Sequence, residues 1–221
     1  MALNKLKFNS INVTPSAGKV IQFDSGADGF ETASGGGAMT FIKKLTASSS
    51  STLSFVDGTS SVVLDNTYKE YLFIFNSMHP ATDQVSFSFQ GNAAGGSGYN
   101  ETITSTYITS YHNEAGSSAA LEYTDANDQA QGTSFQALLH NLGNDADQCC
   151  SGYLRLFNPS STTFVKHFLA ASSNTQYQDI EFTHYVSGYF NTTSAIDEIQ
   201  FKMSSGNIDA GTITLYGIKD S

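Results

Sequence analysis

The sequence predicts an all-β fold, an antiparallel sandwich or barrel preceded by an N-terminal arm. Aromatic residues are 12% of the chain, supplied by Tyr and Phe without any Trp. Together with β-branched residues they fit the pleated, half-buried surface of a sheet better than a helix. From Met39 onward, short alternating runs recur between turn residues at the spacing that marks sandwiches and barrels. Charged residues are only 14% of the chain, against about 25% in ordinary soluble domains, and Ser, Thr, Asn and Gly make up the polar balance. A chain of 221 residues can bury a sizeable core, and all-β domains of this size occur as single units. The expected organisation is an anchoring arm with a Gly-rich linker over 1–38 and one β-sandwich domain over 39–221.

Within the arm, two short apolar patches at 6–10 and 20–25 flank the turn signal Thr14-Pro15-Ser16. Neither patch can bury a face alone, and an isolated two-stranded ribbon is marginally stable in water. The run from Asp24 through Gly26 to Gly29, and then Ser34-Gly35-Gly36-Gly37, read as flexible linker. Leu6, Phe8, Ile11, Val13, Val20, Ile21 and Phe23 are therefore the candidates for anchoring the arm to a partner.

Strands are expected over 40–46, 52–56, 70–77, 85–90, 102–111, 152–157, 163–171, 180–190, 196–203 and 212–218. Val85, Phe87 and Phe89 share one face because successive strand side chains point to opposite sides. Ile180, Phe182, His184 and Val186 do the same against Glu181, Thr183 and Tyr185, as do Ile199, Phe201 and Met203 against Gln200 and Lys202. The run Tyr71-Leu72-Phe73-Ile74-Phe75 is apolar on both parities, the pattern of a central strand covered on both sides. Residues 114–147 break the rhythm with Ala, Gln, Asn and Asp, and hold one apolar stretch at 134–140. So long a connection reads as an outward-facing loop, as does 91–100 with its Gly-rich tip.

No chemistry-bearing constellation emerges from these segments, and the chain is not expected to be an enzyme. The nucleophile elbow is missing, since Gly95-Gly96-Ser97-Gly98 has the wrong spacing. His79, His112, His140, His167 and His184 fall one per segment, without metal-ligand spacing. Asp125, Asn127 and Asp128 offer oxygen ligands, but Ala130 stands where a calcium-binding EF-hand loop needs its turn glycine. These and the residues from Asn141 to Asp147 read as solvated turns. No metal or other cofactor is expected. Cys149 and Cys150 are adjacent and poorly placed to bridge each other, so both read as free thiols. A net charge of -10 disfavours nucleic acid and anionic membrane surfaces, and no apolar run is long enough for membrane insertion. Without an apolar leader, synthesis is expected in a cytoplasm. Tyrosines remain as recognition candidates, because their rings give contact area at low entropic cost. Tyr99, Tyr107, Tyr111, Tyr123, Tyr153, Tyr177, Tyr185 and Tyr189 are the pool, and Tyr99, Tyr111 and Tyr123 are the candidates for ligand-facing loops.

Three segments, the ending Gly211-Thr-Ile-Thr-Leu-Tyr-Gly-Ile-Lys219, the central stretch from Tyr68 to Pro80, and the arm with its Gly-rich joint, resemble small β-rich structural proteins of tailed bacteriophages, especially of marine hosts. The resemblance implies a jelly-roll-like domain fixed to the particle by its N-terminal arm, commonly as a homotrimer. It implies a virion location, with other virion proteins as partners of the arm. The expected function is an appendage of tail-fibre or receptor-binding type that meets a host surface glycan or protein. The alternative is a capsid decoration protein that cements the shell.

Overall fold

A computed structural model of the protein describes residues 19–23, 26, 30–34 and 37–219. The chain divides into two compact units, Met1–Ala38 and Met39–Ser221. In the first, β1 (Lys19–Phe23) pairs antiparallel with β2 (Phe30–Ser34). The Phe23 and Phe30 rings stack with centroids 4.9 Å apart, and the Gln22 amide donates to Glu31 at 2.8 Å. Residues 30–34, expected in the linker, thus form a strand, because Phe30 and Glu31 supply cross-strand partners for Phe23 and Gln22. Of the anchoring candidates, Val20, Ile21 and Phe23 lie on β1 and are exposed, while Leu6, Phe8, Ile11 and Val13 fall outside the described residues.

The second unit opens with β3 (Met39–Thr46), β4 (Leu53–Val56), β5 (Glu70–Pro80), β6 (Val85–Ala93) and β7 (Ile103–Asn113). It continues with β8 (Ala119–Tyr123), β9 (Ala130–Gly132), β10 (Gln136–Leu142), β11 (Cys150–Phe157) and β12 (Lys166–Gln176). It closes with β13 (Ile180–Phe190), β14 (Ile196–Met203) and β15 (Ile208–Ile218). A large antiparallel layer runs β3-β15-β5-β11-β12-β13-β7, with β8 and β9 both on the far edge of β7. A smaller layer runs β10-β6-β14-β4. The two are joined where Leu142 of β10 pairs with Gln176 of β12, so the sheet nearly closes on itself.

Phenylalanines fill the space between the layers. Phe73 of β5 meets Phe55 of β4 at 5.3 Å and Phe201 of β14 at 5.5 Å between ring centroids. Phe75 meets Phe87 at 5.3 Å, and Phe89 meets Phe168 at 5.1 Å. All seven rings are buried, and each contributes about 1.5–3 kcal/mol of transfer free energy plus the preference of ring edges for ring faces. Glycine is needed where β13 crosses close to β7: a Cβ on Gly188 would sit 2.5 Å from the Thr104 carbonyl oxygen.

Two expectations need correction. Residues 114–147 are not one loop, because β8, β9 and all of β10 lie within them, and the apolar stretch 134–140 runs into β10. Its polar composition misled because Gln136 is buried by hydrogen bonding rather than by apolar contact. Gln136 Nε2 donates to the Asn127 and Ala137 carbonyls, and its Oε1 accepts from the Ser105 hydroxyl at 2.6 Å. Similarly, β5 is central in its layer but covered by this unit on one face only. Tyr71, Phe73 and Phe75 are fully buried, while Leu72 is half-buried and Ile74 is 37% exposed.

Replacing Phe73 with Asp should unfold this domain. An unpaired carboxylate among Phe55 and Phe201 costs several kcal/mol, comparable with the whole stability of a domain of about 5–15 kcal/mol. Loss of the dispersed amide proton spectrum and of the cooperative thermal transition is the expected readout. A native spectrum would refute the placement of β5.

Candidate functional site

The outward side chains of the large layer lie in register from strand to strand. One row runs Ile74, Tyr153, Ala171, Tyr185, Ile108 and Tyr123 from β5 to β8. A second runs Phe41, Tyr216, Leu72, Arg155 and Leu169 from β3 to β12. Phe41, Tyr185 and Leu169 stand proud at 59%, 55% and 46% exposure. Beside them lie two hollows. One, of about 430 Å³, is lined by Thr104, His167, Leu169 and Tyr189; the other, of about 470 Å³, by Met39, Leu72, Tyr153 and Ile218. Along these rows the charged side chains are Lys44, Arg155, Glu70 and Glu181, with Arg155 ion-paired to Glu70, and Asp128 bonds Tyr123 at the far edge. The centre of the face is therefore sparsely charged on a chain of net charge -10. A contiguous apolar face of this kind marks an interaction surface.

Inward of the same strands, beyond the phenylalanine core, lies a polar network. His184 Nε2 is 2.9 Å from Asn174 Oδ1, and its Nδ1 is 3.1 Å from the Tyr107 hydroxyl and 3.3 Å from that of Thr109. Because Asn174 Oδ1 only accepts, Nε2 carries the proton, and Nδ1 accepts from Tyr107. The His140 ring lies 4.8 Å from that of His184. Burial, with the neighbouring His140 adding to it, pushes the His184 pKa down to about 3, and burial also lowers that of His140. Burial likewise raises the Tyr107 pKa. Tyr107, Thr109 and His184 have no exposed surface, so this is an internal brace that ties β7, β12 and β13 together. Gln90 does similar work on β6, its Nε2 lying 3.0 Å, 3.2 Å and 2.9 Å from the carbonyls of Glu101, Thr133 and Ser134.

The three ligand-facing candidates occupy separate surroundings. Tyr99 donates to Glu198 at 2.8 Å and lies 6.4 Å from the Phe135 ring; burial and then that carboxylate raise its pKa. Tyr111 packs on Phe182 at 5.4 Å. Tyr123 is on the outer row, where its hydroxyl donates to Asp128 and its pKa is raised by that bond. Of the wider pool, Tyr107 is buried, while Tyr153 and Tyr185 join Tyr123 on the outer face. Ile74, Leu169 and Phe41 belong to that face and were missed as functional residues. The both-parity apolar pattern of 71–75 carries the signal for Ile74, while Phe41 and Leu169 have none in the sequence. A polar hollow of about 470 Å³ also opens on the smaller layer, lined by Ser88, Asn127, Asp128 and Phe135. Among the described residues, no group of three or more His, Cys, Asp or Glu is placed to hold a metal ion. Cys149 and Cys150 are unbridged, and burial raises the Cys150 pKa.

No family model matches the chain, and no curated protein or solved structure matches it either.

The histidine pair makes stability depend on pH. In the unfolded chain each takes up a proton near 6.5, well above where His184 does so in the fold. Stability is therefore full above pH 6.5 and falls as the pH drops toward 3, by up to about 1.4 kcal/mol per pH unit for His184. His184→Gln should flatten the decline of the thermal midpoint between about pH 6.5 and 4.5, and an undiminished slope would count against this assignment.

Proposed function

We propose that the chain is a virion structural protein of a tailed bacteriophage, an appendage of tail-fibre or receptor-binding type. Its N-terminal arm docks on other virion proteins and its β-domain carries the outward, host-facing surface. The observation that carries this reading is the strand order. One layer contains β3-β15-β5-β11 and the other β4-β14-β6-β10, an order we read as two Greek keys wound into an eight-stranded jelly roll, with β7–β9 and β12–β13 as insertions. Jelly rolls recur in viral capsid and lectin domains.

Fold alone does not define function, and the surface adds to the reading. The exposed Val20, Ile21, Phe23 and Phe30 of the ribbon suit an element that orders against a partner subunit. The sparsely charged apolar face of the large layer suits assembly, and the polar hollow beside Phe135 has the hydroxyl, amide and aromatic character that sugars use. The broad flat face also favours a second reading, a capsid decoration protein held permanently in a lattice of neighbours.

Removing residues 1–38 should leave a folded β-domain that no longer enters particles, as read by circular dichroism of the purified fragment and immunoblotting of purified virions. Incorporation of the fragment at the parent level would sink the anchoring role. Cryo-electron microscopy of intact particles separates the two readings: density at the tail supports the appendage, and regular density across the capsid lattice supports decoration.

A further inference from the structure

We infer that the outer face of the large layer is the contact surface between copies of this chain, with a second copy packed sheet to sheet against it. This deepens the assembly reading above and rests on it. Four observations support the second copy as occupant. First, Tyr71-Leu72-Phe73-Ile74-Phe75 has the composition of a strand buried on both faces, yet within one unit only Tyr71, Phe73 and Phe75 are covered fully. In this reading a second copy supplies the missing cover.

Second, charge permits a like partner. The centre of this face carries the Arg155–Glu70 ion pair, with Lys44 on β3 and the acidic Glu181 and Asp128 toward the far edge, so most of the excess of 20 acidic over 10 basic residues is carried elsewhere. Two copies that repel through the rest of their surfaces can meet at this centre with little like charge juxtaposed. Third, the extent is sufficient. Eight strands, β3 to β8, spaced about 4.8 Å apart and each presenting about five outward residues roughly 6.8 Å apart, span roughly 900 Å² of sheet plane, which matches the ~800 Å² per partner of a standard interface. Fourth, the face carries both projections and hollows. Phe41, Leu169 and Tyr185 project, and hollows lie beside Leu169 and Tyr153 for a second copy's side chains to enter. Two sheets of identical twist pack face to face at the ordinary aligned angle of about 30°.

The test uses the purified full chain, so its outcome is independent of any particle and of the virion reading. Sedimentation velocity across a micromolar concentration series should give a reversible oligomer. Leu169→Glu and Tyr185→Glu should each weaken association on the order of a hundredfold, since the interface then brings like carboxylates together in buried surroundings. Both positions are exposed in the single unit, so thermal midpoints close to the parent's are expected and confirm folding. Ser204→Glu, on the smaller layer's side, should associate like the parent. Should either face variant unfold, hydrogen exchange of the parent decides in its place: slowed exchange with rising concentration across β5, β11 and β12 supports the contact, and unchanged exchange overturns it. A parent that stays monomeric throughout, or folded Glu variants that associate like the parent, also overturns the proposal, the former leaving the face to a different virion protein.

Discussion

The fold depends on the phenylalanine layer between the two sheets. Phe55, Phe73, Phe75, Phe87, Phe89, Phe168 and Phe201 come from five strands in both layers. Each strand alone is a marginal element, and only the stacking of two sheets removes enough ring surface from water to offset the entropy of ordering them. Because edge-to-face contacts specify angle as well as distance, the same rings also fix how the layers face each other. The long antiparallel registers of β5, β11 and β15 follow from that choice of inward face, since a slip by one residue would turn every Phe outward.

The large layer continues past the area that four smaller strands can cover, and chemistry changes there. Over β12, β13 and β7 the inward side chains become Asn174, His184, Tyr107 and Thr109, fully buried and mutually hydrogen-bonded. Such a network stabilises only when its members are satisfied, and it penalises wrong registers strongly. Asn174 Nδ2 is left without a partner, a local cost of the kind that polar interiors tolerate when the remaining bonds hold the strands in place. The same burial that lowers the pKa of both histidines makes this extension sensitive to acid.

On the other side of these strands the protein exposes what most domains hide. The register that turns Phe73 and Phe75 inward necessarily turns Leu72 and Ile74 outward, and the neighbouring strands align Tyr153, Leu169 and Tyr185 beside them. A sparsely charged apolar sheet face on an acidic protein fits one that works in an assembly. The proposed arm-anchored virion role joins this face to the apolar ribbon of β1 and β2 through a single idea, that both elements complete their burial against other subunits.

Alternation was legible from the sequence wherever a strand had one apolar and one polar face, as in β6, β13 and β14, because side-chain period alone decides which residues are buried. All ten strands expected from 39 onward are present, and the inward placement of Phe87, Phe89, Phe182 and Phe201 follows from parity. Strands β8 and β9 and the polar start of β10 were not legible, since Gln136 reads as a loop residue until Ser105 and Asn127, distant in sequence, satisfy it. The both-parity pattern of 71–75 correctly marked β5 as central but gave the wrong account of its second cover. The pool of tyrosines could not be sorted by sequence into Tyr107 inside and Tyr153 and Tyr185 outside, nor could Tyr99, Tyr111 and Tyr123 be separated into three surroundings. By itself the sequence determined the class, the strand positions and the apolar core, which are local consequences of periodicity and composition. Only the tertiary structure decided the strand order, the histidine brace and the outer apolar face, because each depends on which distant strands become neighbours.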